Sequence, residues 1–166
     1  MEIRPERSND VSAISVLVSA AFATARHTNG REQLIVSGLR DSGSLTISLV
    51  AEEGGRLVGH IAFSPVSVTD GSRQWHGLGP VAVEPSSQGM GTGSGLMRSG
   101  LAALRRLGSA GCVVLGNPSY YSRFGFRRFD QLRYVAAPAE YFLALPFGEV
   151  VPSGEVAYHA SFEAEA

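Results

Sequence analysis

The stretch VAVEPSSQGMGTGSGLM, residues 81–97, decides how this chain is read. A short apolar run, Val81-Ala82-Val83, leads to Pro85, and glycine then recurs at 89, 91, 93 and 95. Apolar residues resume at Leu96 and Met97. They continue through Gly100, Leu101, Leu104 and Leu107 with helical spacing. Arg105 and Arg106 close that helix, where its dipole favours cations. The order is strand, glycine loop, helix. Glycine carries an entropic cost, so this density argues that the backbone approaches something closely. Backbone N–H groups and the positive end of a helix dipole together make an anion site, and a pyrophosphate suits it.

Two familiar phosphate loops fail here. A P-loop needs a lysine, yet all fourteen basic residues are arginine. The same absence rules out a lysine Schiff base to pyridoxal phosphate. A dinucleotide fingerprint needs G-x-G-x-x-G, but the third position is Ser94 or Leu96, depending on the start. No acidic residue stands about twenty positions on, where a ribose would be held. The pattern that remains is Q-x-x-G-x-G, from Gln88, Gly91 and Gly93.

The chain has 166 residues, the size of one domain, and we expect a single domain over 1–166. Hydrophobic residues make up 44%, enough for a sizeable core. The net charge of −1 gives no basic field for nucleic acid or a membrane surface. Neither a spanning apolar run nor a signal peptide is visible, so a cytoplasmic protein is expected. Cys112 is the only cysteine, which leaves no intrachain disulfide and no cysteine cluster for a metal. It starts an apolar run and reads as a packed thiol.

Around the loop, SNDVSAISVLVSAAF predicts a helix capped by Ser8 or Asn9. REQLIVSGLRDSG predicts a second, closed by Gly43. ISLVAEE, RLVGHIAFSPVSVT and QWHGLGPVAV predict three consecutive strands. CVVLG predicts a central strand covered on both faces. SYYSRF predicts a short helix, GFRRF and LRYVAA the start of another strand, and GEVAYHASFEA a final one. The fold class is α+β around a mixed sheet.

With these motifs in order, the chain resembles the GNAT superfamily of N-acetyltransferases. VAVEPSSQGMGTG is similar to its acetyl-CoA motif, a strand x-V-x-P followed by [QR]-x-x-G-x-[GA] and a helix. LGNPSYYSRFGF is similar to its later Y-x-x-x-G-F motif, here Tyr121, Gly125 and Phe126. The resemblance implies a mostly antiparallel sheet flanked by helices, with splayed central strands binding CoA. It implies a pyrophosphate held by the loop from Gln88 through Gly89, Met90, Gly91, Thr92 and Gly93 to Ser94. The pantetheine arm would lie along Val81, Ala82 and Val83, and Pro80 either splays this strand or marks an edge or bulge. The Val81 N–H would stabilise the developing oxyanion, and Tyr121 would protonate the leaving thiolate. Asn117 either contacts CoA or initiates a turn. Tyr120 reads as wall packing.

The acceptor would be a small-molecule or peptide amine, attacking directly, with no metal. A non-catalytic acyl-CoA sensor is the alternative. Candidate bases are Glu84, His76, His60 and Glu52, or a water chain. Two segments are expected to frame the acceptor, ATARHTNG (23–30) and APAEYFLALPFGEVVPSG (137–154). The apolar second segment could instead bury a subunit contact, making a homodimer, or pack on the protein's own sheet.

Overall fold

The structure, a computed structural model, describes residues 1–23 and 30–163. Strand β1 (Glu2–Pro5) leads into helices α1 (Val11–Phe22) and α2 (Glu32–Asp41). Strands β2 (Ile47–Glu53), β3 (Arg56–Pro65), β4 (Ser67–Val68) and β5 (Trp75–Val83) follow. Then come α3 (Thr92–Arg106), β6 (Gly111–Leu115), α4 (Pro118–Tyr121), β7 (Leu132–Arg133), β8 (Phe142–Pro146) and β9 (Gly154–Ala157). The main sheet has the order β1-β2-β3-β5-β6-β8. Every neighbouring pair is antiparallel except β5 with β6. A parallel pair needs a crossover, and α3 supplies it.

Period-two alternation divides the core between the two faces. Ile47, Leu49 and Ala51 of β2 pack with Leu96, Met97, Leu101 and Leu104 of α3. Val50, from the other face, packs with Ile14 and Val18 of α1 and Val36 of α2. Helix α3 lies close on the sheet: a Cβ at Gly59 would stand 2.8 Å from Leu96 and 3.0 Å from Thr92.

Several expectations are corrected. Ser8 and Asn9 sit in a short 3-10 turn, and Asp10 is the residue that organises the start of α1. Its carboxylate accepts the Arg7 N–H at 2.6 Å and pairs with Arg4 at 2.8 Å. The run RLVGHIAFSPVSVT is not one strand. Pro65 ends β3, and β4 turns away to join a small second sheet of order β4-β9-β7. GFRRF forms only an isolated bridge, Arg127 with Ala144, and LRYVAA only the two residues of β7.

The apolar segment after residue 137 holds β8, antiparallel to β6 through Cys112–Leu145 and Val114–Leu143. Phe142, Leu143 and Ala144 are buried there. The strand within this segment therefore packs against the protein's own sheet, while Tyr141 and Val150 on either side of it are exposed.

One buried group ties stability to pH. His60 in β3 is fully enclosed, its Nε2 lies 2.8 Å from Ser48 Oγ, and burial lowers its pKa from 6.5 to about 4. The folded chain thus keeps this imidazole neutral while the unfolded chain protonates it. Stability is fully present above pH 6.5 and drains away as pH falls towards 4, by roughly 3 kcal/mol over that window. Urea midpoints at pH 7 and pH 5 should differ in the parent, and His60→Gln should flatten the difference. An equal pH slope in the variant would remove His60 as the cause.

Candidate active site

The parallel ladder between β5 and β6 is short. It joins Trp75 to Gly111, His76 to Cys112 and Gly77 to Val113, and there it stops. Strand β5 runs on to Val83 and β6 to Leu115, so the two part company. On its other side β5 stays with β3, but Ile61 faces Val81 while Phe63 faces Leu78. One extra residue has been inserted in β5 at Gly79-Pro80, a β-bulge, which bends a strand and breaks its ladder locally. The Gly79–Pro80 peptide is cis. Pro80 therefore belongs both to a bulge and to the parting of the strands.

The gap opens into a cavity of about 520 Å³ lined by Leu78, Gly79, Pro80, Val81, Leu115 and Tyr121, among others. A second cavity of about 350 Å³ lies beyond Val83, over the glycine loop and the start of α3. Gly91 caps α3 with φ +85°, a left-handed backbone that side-chain-bearing residues adopt only rarely. The first helical bond runs from the Gly95 N–H to the Gly91 carbonyl at 3.0 Å. The N–H groups from Gly91 to Ser94 precede it and have no place in the helix ladder. The four glycines divide their labour. Gly89 and Gly91 have positive φ, Gly93 faces Tyr120, whose hydroxyl would stand 3.2 Å from a Cβ, and Gly95 packs against Ile3.

Each residue singled out in the sequence has a definite position. Val81 and Val83 are half-buried and Ala82 is buried along β5. The Gln88 side chain donates to the Val83 carbonyl at 3.1 Å, tying loop to strand. Thr92 is buried at the first position of α3, and Met90 is exposed. Asn117 caps α4, its Oδ1 accepting from the Ser119 N–H at 2.9 Å and from the Ser119 hydroxyl at 2.7 Å. That is the turn-initiating use, and Asn117 lines neither cavity.

Consecutive positions on α4 send the two tyrosines to different cavities: Tyr121 to the gap, Tyr120 to the glycine loop. The Tyr121 ring stands edge-on to Phe126, and burial pushes its phenol up to about 12. It stays protonated throughout the neutral range.

None of the candidate bases lines the gap. Glu84 sits at the far end of β5, and its carboxylate is held below the usual range by the Ser86 hydroxyl and by Arg56. Glu52 pairs with Arg4, His60 is enclosed, and His76 lies beside Ser109 at 2.8 Å. The buried Cys112 thiol has a raised pKa, because burial disfavours the thiolate.

The sequence reading overlooked other residues. Arg123 lines the glycine-loop cavity, with its guanidinium 4.4 Å from the Tyr120 ring centroid. It is the one cation among the described residues lining that cavity. Phe22, Glu32, Ile35, Tyr134, Tyr158 and Phe162 also line the gap. The segment 137–154 contributes nothing to it, while residues 24–29 of the other expected segment lie outside the described residues. No group of three or more potential metal ligands occurs among the described residues, and no helix there is long and apolar enough to cross a membrane.

The geometry has counterparts. A family profile described as an acetyltransferase (GNAT) domain matches residues 2–129. The chain belongs to the GNAT acetyltransferases. This GNAT chain is 39% identical over 127 residues to the uncharacterized N-acetyltransferase YhbS of Escherichia coli K12, covering 76% of this chain and 73% of YhbS. Among solved structures it is similar to a GNAT family acetyltransferase from Brucella melitensis in complex with acetyl-CoA. The TM-score is 0.87, with 47% identity over 97% of each chain. It is also similar to E. coli YhbS in complex with CoA, with a TM-score of 0.89 and 34% identity, covering 98% of this chain and 91% of that one. The mixed, mostly antiparallel sheet with helices on both faces is the GNAT fold.

Proposed function

We propose that this GNAT enzyme moves an acetyl group from acetyl-CoA to a primary amine by direct attack in a ternary complex. One observation carries the reading: β5 and β6 part beside the free N-terminus of α3, and Tyr121 borders the opening.

The residues fit the cosubstrate. The N–H groups of Gly89 to Ser94, the α3 dipole and Arg123 form a cationic end suited to a pyrophosphate. The Met90 and Thr92 contributions are main-chain only. Gln88 brings no charge and braces the loop instead, leaving Arg123 as the side-chain cation. The edge of β5 along Val81, Ala82 and Val83 has lost its neighbour, so its outward N–H and C=O groups are available to an extended amide-bearing arm. Asn117 acts by fixing the start of α4 and hence the direction of Tyr121.

Bound there, acetyl-CoA supplies a thioester whose carbonyl carbon forms a bond with the amine nitrogen as its bond to sulfur breaks. The Val81 N–H stabilises negative charge growing on the carbonyl oxygen, a kind of donor worth roughly 3 kcal/mol. Tyr121 donates its proton to the departing sulfur. The proton lost by the amine leaves through water, since each dedicated base suggested by the sequence is committed elsewhere. Among the described residues no activated nucleophile borders the gap, which favours direct attack.

Free-thiol release with acetyl-CoA and a panel of amines tests this proposal. The panel comprises polyamines, aminoglycosides, amino acids, peptides and arylalkylamines. At least one amine should raise the rate well above acetyl-CoA hydrolysis, with its N-acetyl product seen by mass spectrometry. Tight acetyl-CoA binding with no product from any amine would point to the sensor.

A further inference from the structure

Beside the glycine loop, two arginines share one aromatic ring. The Arg98 guanidinium stands 5.6 Å from the centroid of the Phe124 ring, and the Arg123 guanidinium stands 5.6 Å from the same centroid. Phe124 ends the short 3-10 turn that follows α4, so the cluster joins that turn to α3. Arg123 is further held by its Nε, which donates to the Tyr120 carbonyl at 3.3 Å. Both arginines are exposed, and among the described residues neither forms an ion pair with a carboxylate. Two like charges drawn to one ring repel each other, and an anion placed by them offsets that cost. Their positions differ. Arg123 lines the glycine-loop cavity, whereas Arg98 does not. Arg98 lies four residues along α3 from Ser94, which does line it. Helical side chains lean towards the N-terminus, so Arg98 leans back over the turn that holds Ser94.

The nucleotide end of acetyl-CoA carries two separate anionic groups, the pyrophosphate and a phosphate on the ribose 3′ position. We infer that Arg98 holds the ribose 3′-phosphate, while the loop N–H groups and Arg123 hold the pyrophosphate. This inference rests on the reading of the loop as the acetyl-CoA site and names a residue that selects among forms of that cosubstrate. The ribose is joined directly to the pyrophosphate, so its 3′-phosphate falls within roughly one helical turn of it. That is the offset between Ser94 and Arg98 along α3, about 6 Å at the rise of an α-helix. A guanidinium presents a planar fork of donors that matches phosphate oxygens. The Phe124 ring seats this fork by a cation–π contact, which leaves its N–H donors free for the ligand. Arg98 acts as a specificity residue: it contributes to the binding of acetyl-CoA and nothing to that of a cosubstrate lacking the 3′-phosphate.

Calorimetry with acetyl-CoA and with 3′-dephospho-acetyl-CoA tests this in the parent, in Arg98→Gln and in Arg106→Gln. The parent should bind acetyl-CoA about tenfold more tightly than the dephospho form, the worth of one charge-assisted contact partly screened by water. Added salt should shrink that preference. Arg98→Gln should weaken acetyl-CoA about tenfold and leave the dephospho form at its parental affinity, so that the two bind alike. Arg98 is exposed, so the variant should fold as the parent does. Arg106→Gln removes the same charge from the far end of α3 and should keep the preference, which separates a local contact from an effect of net charge. Equal affinities for the two compounds in the parent would overturn the inference while upholding acetyl-CoA as the cosubstrate. So would a preference that survives in Arg98→Gln, or an equal weakening of both compounds by that substitution. If neither compound binds the parent, the cosubstrate reading itself falls and this inference with it.

Discussion

Tyr121→Phe should bind acetyl-CoA with nearly parental affinity yet turn over a good amine roughly 10²–10⁴ times more slowly, the usual worth of one positioned proton donor. The substitution removes only the phenolic oxygen. The ring keeps its edge-on contact with Phe126 and its place against Gly116, so folding should be largely unaffected. Burial raises the phenol to about 12, which has a consequence for pH. The parental rate should not decline between pH 7 and pH 10 through loss of this proton, because the donor remains protonated across that range. Tyr120→Phe supplies the comparison. Its ring faces the glycine loop, so any effect should fall on acetyl-CoA affinity and leave the chemical step nearly intact. A near-parental rate for Tyr121→Phe, measured where chemistry limits turnover, would mean that water or another group protonates the sulfur.

The second large effect belongs to the glycine loop. Gly91→Asp should lose most of its affinity for acetyl-CoA while remaining folded. No heavy atom beyond its chain neighbours lies within 4 Å of a Cβ built at Gly91, so the substitution meets no wall. It does place a side chain on a backbone with φ +85°, a conformation that aspartate tolerates better than most residues. The strain is therefore modest and the new charge dominates. A carboxylate about 5 Å from a pyrophosphate charge costs on the order of 3 kcal/mol at an effective dielectric near 20, roughly a hundredfold in affinity. Gly91→Ala separates the two contributions. It carries strain without charge and should weaken binding much less.

The central crossover was legible because several local signals agree there. The strand, the glycine loop and the periodic apolar face of α3 point to one unit, and α3 runs from Thr92 to Arg106. Ile47–Glu53 and Trp75–Val83 were legible for the same reason: alternation or a continuous apolar run bounded by turns. The end of β3 was not. Residues 66–69 keep a strand-like composition, and only the tertiary pairing of Ser67 and Val68 with Val156 and Ala157 carries them into another sheet. Strand β8 was missed as a strand because FLALP is apolar on both sides and reads equally as a pocket wall. Its pairing with β6 joins residues some thirty apart, a relation that local pattern does not encode.

The candidate site divides along the same line. Loop, strand and Tyr121 lie within 41 residues of one another, Val81 to Tyr121, and belong to contiguous motifs. The far wall of the gap draws on Phe22, Glu32, Tyr134 and Tyr158, which meet only after the chain has folded. Arg123 was within reach. It stands two residues after Tyr121 on the same short helical segment, and a loop with glutamine at its first position leaves the anion in need of a cation.

Calorimetric titration of acetyl-CoA into the parent and into Gly91→Asp tests the central claim most directly. That claim is that backbone groups at the start of α3 hold the pyrophosphate of acetyl-CoA beside the parted strands. The parent should bind one equivalent, and the folded variant should bind roughly a hundredfold more weakly. Unchanged acetyl-CoA affinity in a folded Gly91→Asp would contradict it.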